Sequence, residues 1–136
     1  RDLAARNIFL GEPIETVKLT DFALARNLVE SNYYITTREN FPIRWTAPEA
    51  FVRFDDGIIA TQSGTITRAA DVWSFAVLMW ELYTNGQQPY HGINHQELNK
   101  MLVEGNLRLD CPANCPEAIY TKMLECWNIN PEERPA

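Results

Sequence analysis

The chain has 136 residues, 46% of them hydrophobic and 22% charged, a composition that fits one compact globular domain and excludes a disordered or low-complexity segment. Its formal net charge of −6 at pH 7 argues against nucleic acid or an anionic membrane surface as the main partner, so an anionic ligand must be held locally, by a metal or a few placed arginines. Three cysteines with no apolar leader predict reduced thiols in the cytoplasm, and an opening arginine in place of Met predicts a piece of a longer protein.

The first seven residues, Arg-Asp-Leu-Ala-Ala-Arg-Asn, form a polar loop that leads into the apolar run Ile8-Phe9-Leu10. Gly11-Glu12-Pro13 is a turn signal and Thr16-Val17-Lys18-Leu19 alternates, so residues 8–19 predict a β-hairpin. Antiparallel pairing brings the outer ends of two strands together, which makes Asn7 and Asp21 neighbours. Two oxygen-bearing side chains side by side suit a hard cation such as Mg²⁺. Residues 27–41 are polar and contain Tyr33-Tyr34, the pattern of an exposed loop. Residues 54–68 hold the turn signals Asp55-Asp56-Gly57 and Ser63-Gly64 and read as a second exposed loop.

In residues 71–84, ten of fourteen side chains are apolar and they cover every face of a helix, which predicts a buried core helix. Asp71 is its expected cap and Asn85-Gly86 its stop. The run is shorter than the roughly 20 apolar residues of a membrane span and contains Glu81, so no span is expected. Residues 94–104 read as an amphipathic helix with Leu98, Met101 and Leu102 on one face and Gly105 at its end. A last helix follows Pro116, with Ile119, Met123, Leu124 and Trp127 facing inward. His91, His95, Cys111 and Cys115 have spacings near those of structural zinc sites but in inverted order, and a zinc site leaves the motifs described next unexplained.

Taken in order, residues 1–7, Asp21-Phe22-Ala23-Leu24-Ala25-Arg26, Phe41-Pro42-Ile43-Arg44-Trp45-Thr46-Ala47-Pro48-Glu49, Asp71-Val72-Trp73-Ser74-Phe75, Cys126-Trp127 and Glu133-Arg134-Pro135 resemble the C-terminal lobe of a protein tyrosine kinase. The resemblance spans the whole chain. It implies an α+β protein-kinase-like fold, of which residues 1–136 are the mainly α-helical C-terminal lobe with a short β-hairpin. The N-terminal lobe, with its glycine-rich loop and phosphate-holding Lys, is expected to lie outside this sequence, as is the lobe's final helix.

The resemblance also implies roles. Asp2 matches the catalytic-loop aspartate that accepts the substrate hydroxyl proton, and Asn7 and Asp21 match the two Mg²⁺ ligands. Arg6, after Ala4-Ala5, matches the tyrosine-kinase form of that loop, and Phe9 falls under the adenine ring of ATP. Residues 27–41 correspond to the activation loop, with Tyr33 and Tyr34 as phosphorylation sites and Arg1 and Arg26 as phosphate partners. Pro42, Ile43, Arg44 and Trp45 correspond to the substrate shelf, where Pro42 supports a phenol ring, and Glu49 pairs with Arg134 in a structural clamp. ATP and Mg²⁺ are the implied cofactors and proteins bearing tyrosine the implied substrates. The setting is cytoplasmic, in either a cytosolic kinase or a receptor's intracellular part; Tyr33-Tyr34 leans to receptors and Thr46 to non-receptor kinases. Residues 54–68 are roughly ten longer than the pattern allows. Ala23 stands where the family has the glycine of Asp-Phe-Gly. A left-handed backbone there would cost about 1 kcal/mol or more, which motivates an alternative function, a pseudokinase signalling scaffold. Ala76 likewise replaces a core-helix glycine and favours helix by about 1 kcal/mol.

Overall fold

A buried helix organises the chain: α1 spans Arg68–Tyr83. The structure, a computed structural model, describes residues 2–13, 15–24, 42–53, 59–60, 67–104 and 106–136. The helix starts three residues before Asp71, because Ala69 and Ala70 are strong helix formers and extend it backwards. Thr67 therefore occupies the cap position, without a side-chain capping bond, and Asp71 lies in the first turn. A carboxylate there still favours the positive end of the helix dipole. At the other end, Asn85 and Gly86 take positive φ angles of 55° and 80°. The Gly86 amide donates to Glu81 O at 2.8 Å and the Asn85 amide to Leu82 O at 3.4 Å, the paired bonds of a Schellman stop.

Burial is confined to a broad face. Ala70, Trp73, Ala76, Val77 and Leu78 are buried, whereas Phe75 and Leu82 are 47% and 62% exposed. The core forms where α1 meets α2 (His95–Val103) and α3 (Glu117–Cys126). Asn94 caps α2 by accepting from the Glu97 amide at 2.8 Å, and Leu98 and Leu102, four residues apart, are buried. On α3, Met123 and Cys126 are buried, Trp127 follows them inward, and Ile119 packs half-buried against the cluster. Leu124 is 42% exposed and not inward as expected. One residue beyond Met123 is a rotation of about 100°, which carries the side chain off the inward stripe. Tyr90 is also buried, and burial pushes its phenol well above its ordinary pKa, so the hydroxyl stays neutral.

The first hairpin pairs β1 (Ile8–Leu10) with β2 (Val17–Leu19), in the register Ile8↔Leu19, Phe9↔Lys18 and Leu10↔Val17. A second pairs β3 (Val52–Arg53) with β4 (Ile59–Ala60), Val52 opposite Ala60. Sequence patterning predicts only a loop in that region. Strands of two residues are too short to show alternation, although the turn signal at residues 55–57 sits between them. Among the described residues, no helix is long and apolar enough to cross a membrane.

The chain end is locked to the middle by Arg134, whose side chain is fully buried. Its Nη1 and Nη2 donate to Glu49 Oε1 and Oε2 at 2.6 and 2.8 Å. Nη1 also reaches Ala69 O at 2.9 Å, Nε reaches Asn128 O at 2.9 Å, and the guanidinium lies 5.2 Å from the Trp73 ring. One residue thus joins the turn at Pro48–Ala50, the start of α1 and the end of the chain. Removing one partner of such a pair strands the other charge. Arg134→Leu should lower unfolding stability by about 3 kcal/mol, and Arg134→Lys, which loses the fork, by less. Urea denaturation at constant m-value measures both.

Candidate functional site

The β1–β2 hairpin gathers the first acidic residues. At its open end Asn7 O accepts from the Thr20 amide at 2.9 Å and lies 3.2 Å from the Thr20 hydroxyl, so the residue before Asp21 is latched to Asn7. The turn Ala5–Asn7, a single 3₁₀ turn, folds residues 2–7 back on themselves. Asn7 is nearly buried and its Nδ2 donates to Asp2 O at 2.8 Å and to Asp2 Oδ2 at 3.1 Å. Arg6 Nη2 donates to the other carboxylate oxygen, Oδ1. Both oxygens of Asp2 are therefore oriented by neighbours in its own loop. The carboxylate is mostly shielded, at 12% side-chain exposure, whereas Arg6 is at 43%.

Asp2 and Asp21 both have left-handed backbone, with φ of 57° and 56°. Aspartate is among the few non-glycine residues that visit this region readily. Asp21 is exposed, and its Oδ1 accepts from the Ala23 amide at 3.3 Å. Ala23 itself lies inside the 3₁₀ turn Phe22–Leu24, and the positive-φ residue of the segment is Asp21. The expected left-handed penalty at Ala23 is thus corrected: the unusual backbone falls two residues earlier, on a side chain that tolerates it.

A cleft of about 150 Å³ opens between these groups, lined by Asp2, Leu3, Asn7, Leu19, Thr20, Phe22 and Asp71. Asp71 enters from the first turn of α1, a position that sequence patterning assigns only to capping. The wall includes both neighbours of Asp21, but not Asp21. Phe9 is 57% exposed on the hairpin, with Leu10, Val17, Leu19 and Phe22 similarly open.

The implied shelf divides into parts with different surroundings. Pro42 is half-buried and precedes the 3₁₀ turn Ile43–Trp45, held by the Thr46 hydroxyl on Pro42 O at 2.9 Å. Ile43 packs against the core. Arg44 turns into the protein, where its guanidinium donates to the carbonyls of Pro89 at 3.0 Å, Ile93 at 2.8 Å and Tyr90. Three carbonyls claim its charge, so it braces the connector after α1. Trp45 lies under Arg6, whose Cζ is 4.4 Å from the ring centroid, and its Nε1 donates to Glu81 Oε2 at 2.8 Å. The same oxygen accepts from the Ala5 amide at 2.9 Å. Glu81 is a site residue that sequence reasoning passed over. A carboxylate inside an apolar helical run was its only signal.

Arg1, Arg26, Tyr33 and Tyr34, together with most of residues 54–68, lie outside the described residues. Among the described residues, no group of three or more His, Cys, Asp or Glu side chains is gathered to hold a metal, His91, His95, Cys111 and Cys115 included. Burial and then the neighbouring Cys111 thiol raise the Cys115 thiol pKa from its ordinary value.

The sequence matches the family described as protein tyrosine and serine/threonine kinase over residues 1–136. It is 44% identical over 136 residues to fibroblast growth factor receptor 1 of Xenopus laevis, an alignment that covers 99% of this chain and 15% of that receptor. The chain therefore spans a small part of the length of the curated relative it matches. The mainly helical fold with its short antiparallel hairpin agrees with this assignment. By the match over its full length, the chain belongs to the protein tyrosine and serine/threonine kinase family.

Proposed function

We propose that this chain forms the catalytic lobe of a protein tyrosine kinase, a transferase that moves the γ-phosphoryl group of ATP to a tyrosine hydroxyl on a protein. The observation that carries this reading is the Asp2 carboxylate, fixed on one oxygen by Arg6 and on the other by Asn7, at the edge of a cleft. A positioned base of this kind orients the attacking hydroxyl and receives its proton. The Arg6 guanidinium donates to Asp2 Oδ1 and so orients the carboxylate within its own loop.

Asn7 and Asp21 are the proposed Mg²⁺ ligands. Asn7 commits its amide hydrogens to Asp2, which leaves its carbonyl oxygen for a cation, and Asp21 offers an exposed carboxylate. Oxygen donors of this type fit a hard divalent ion. Asn7 and Asp21 would hold Mg²⁺ there, and the ion would supply positive charge to offset that of the transferred phosphoryl group. The exposed ring of Phe9 supplies an apolar face for the adenine. Tyrosine specificity rests on Ala4-Ala5-Arg6 and on the flat ring of Pro42. Tyr33 and Tyr34 are the proposed regulatory phosphorylation sites, with Arg1 and Arg26 as their partners. The likeness to a growth factor receptor supports a receptor kinase with this lobe on the cytoplasmic side. That Ala23 is not among the positive-φ residues weighs against the scaffold alternative.

The test uses the full-length protein with Mg·ATP and a tyrosine peptide. Asp2→Asn and Asp21→Asn should each lower kcat by at least about 10³-fold, since each removes a group needed in the transition state. Ala23→Gly should leave kcat within about two-fold, since no strain is relieved there. An inactive parent whose Ala23→Gly variant is strongly active would return the preference to a scaffold.

Phosphorylation of the loop is a separate expectation. The Tyr33→Phe, Tyr34→Phe double variant should turn over several-fold more slowly than the autophosphorylated parent, because the ordering dianion is lost. Mass spectrometry of the parent after incubation with ATP locates the phosphates. Full activity with both tyrosines unmodified removes this mode of regulation.

A further inference from the structure

We propose that Glu81 is a positioning residue for phosphoryl transfer, joining the catalytic loop at Ala5 to the shelf at Trp45 through a single carboxylate oxygen. The proposal rests on the kinase reading above for its catalytic consequence and on the hydrogen bonds alone for the link itself.

Glu81 is 6% exposed and lies in the last turn of α1. Two effects oppose a carboxylate there. Burial of a charge is unfavourable unless hydrogen bonds replace water, and the negative end of the helix dipole repels it. A leucine or methionine would satisfy packing on this face without either problem. What the carboxylate gains is a pair of charge-assisted hydrogen bonds, from the Ala5 amide at 2.9 Å and from Trp45 Nε1 at 2.8 Å, both on Oε2. Neither donor belongs to α1. One sits between Asp2 and Asn7, and the other sits in the shelf.

The link closes into a ring. Trp45 carries the Arg6 guanidinium on its face at 4.4 Å, Arg6 donates to Asp2 Oδ1, and Arg6 follows Ala5 in the chain. With Arg6 43% exposed, the Arg–Asp pair contributes little by itself and its guanidinium needs a further support. With the indole fixed from below by Glu81, the guanidinium has a platform, and the orientation of Asp2 is tied to the shelf on which a substrate would rest. Loss of Glu81 should let the loop and the shelf drift apart. Because a misplacement near 1 Å can reduce a rate by about 10²-fold, the effect should appear in kcat and not in ATP binding.

The experiment compares Glu81→Gln, Glu81→Leu, Trp45→Phe and the Glu81→Leu, Trp45→Phe double variant in the full-length protein. Glutamine keeps an acceptor oxygen, so its kcat should stay within about five-fold of the parent. Leucine should lower kcat by about 10²-fold with the KM for ATP unchanged. Phenylalanine at position 45 keeps a ring for Arg6 but removes the donor, and its loss should not add fully to that of leucine. Hydrogen exchange at the Ala5 amide supplies a readout that needs no phosphotransfer: faster in the leucine variant, protected in the glutamine variant. Additive losses, or an Ala5 amide equally protected in all variants, would overturn the proposal. If the leucine variant does not fold, a Trp45→Phe variant with unchanged kcat and unchanged Ala5 exchange also overturns it. An inactive parent whose Ala5 exchange still follows the acceptor at position 81 retains the link and removes the kinase reading instead.

Discussion

The inward face of α1 carries two polar residues among its apolar ones, Ser74 and Glu81, and the need to satisfy them decides where the functional loops lie. The Ser74 hydroxyl is 2.7 Å from Trp45 O and 3.1 Å from Ala70 O, and Glu81 takes its donors from Ala5 and Trp45. The residues are seven apart, two turns along the same stripe, so α1 offers two polar anchor points about 10 Å from each other along its axis. The turn at Ile43–Trp45 is attached at both points and the loop at residues 2–7 at one. Apolar packing against α3 fixes the helix, and hydrogen bonds from the polar residues on its buried face tie down the neighbouring loops.

The parts of this arrangement that were legible in the sequence depend on short-range rules. The β1–β2 hairpin follows from a turn signal between two apolar runs, and the stop of α1 from Asn85-Gly86, because only residues that tolerate positive φ close a helix in that way. The buried pair Leu98 and Leu102 follows from helical spacing. The Glu49–Arg134 pairing is separated by 85 positions and came from the family resemblance, since no local pattern carries it. What was not legible depends on partners distant in sequence. The inward turn of Arg44 answers carbonyls 45 to 49 residues away. Helical spacing expects Leu124 inward, but it lies one residue past Met123, at the edge of the inward stripe, and is exposed. Glu81 reads in sequence as an interruption of an apolar run, and only its donors give it a purpose.

The same helix is less enclosed than its composition suggests. Phe75 and Leu82, again seven apart, form an exposed apolar stripe on the face away from the core. The hairpin adds Phe9, Leu10, Val17 and Leu19 to the exposed apolar surface, and the turn after it adds Phe22. Isolated apolar side chains on a surface are ordinary, but stripes of this kind on two elements flanking one cleft mark surface suited to further burial.

The left-handed backbone at Asp2 and Asp21 has a bearing on what a replacement at either position reports. Asparagine shares the tolerance of aspartate for this region of conformational space, whereas alanine does not and would be under strain of about 1 kcal/mol or more at either position. An asparagine replacement therefore subtracts the charge and leaves the chain trace where it was. An alanine replacement alters both at once, and a ligand that binds differently to it reports on a shifted loop as much as on a missing carboxylate.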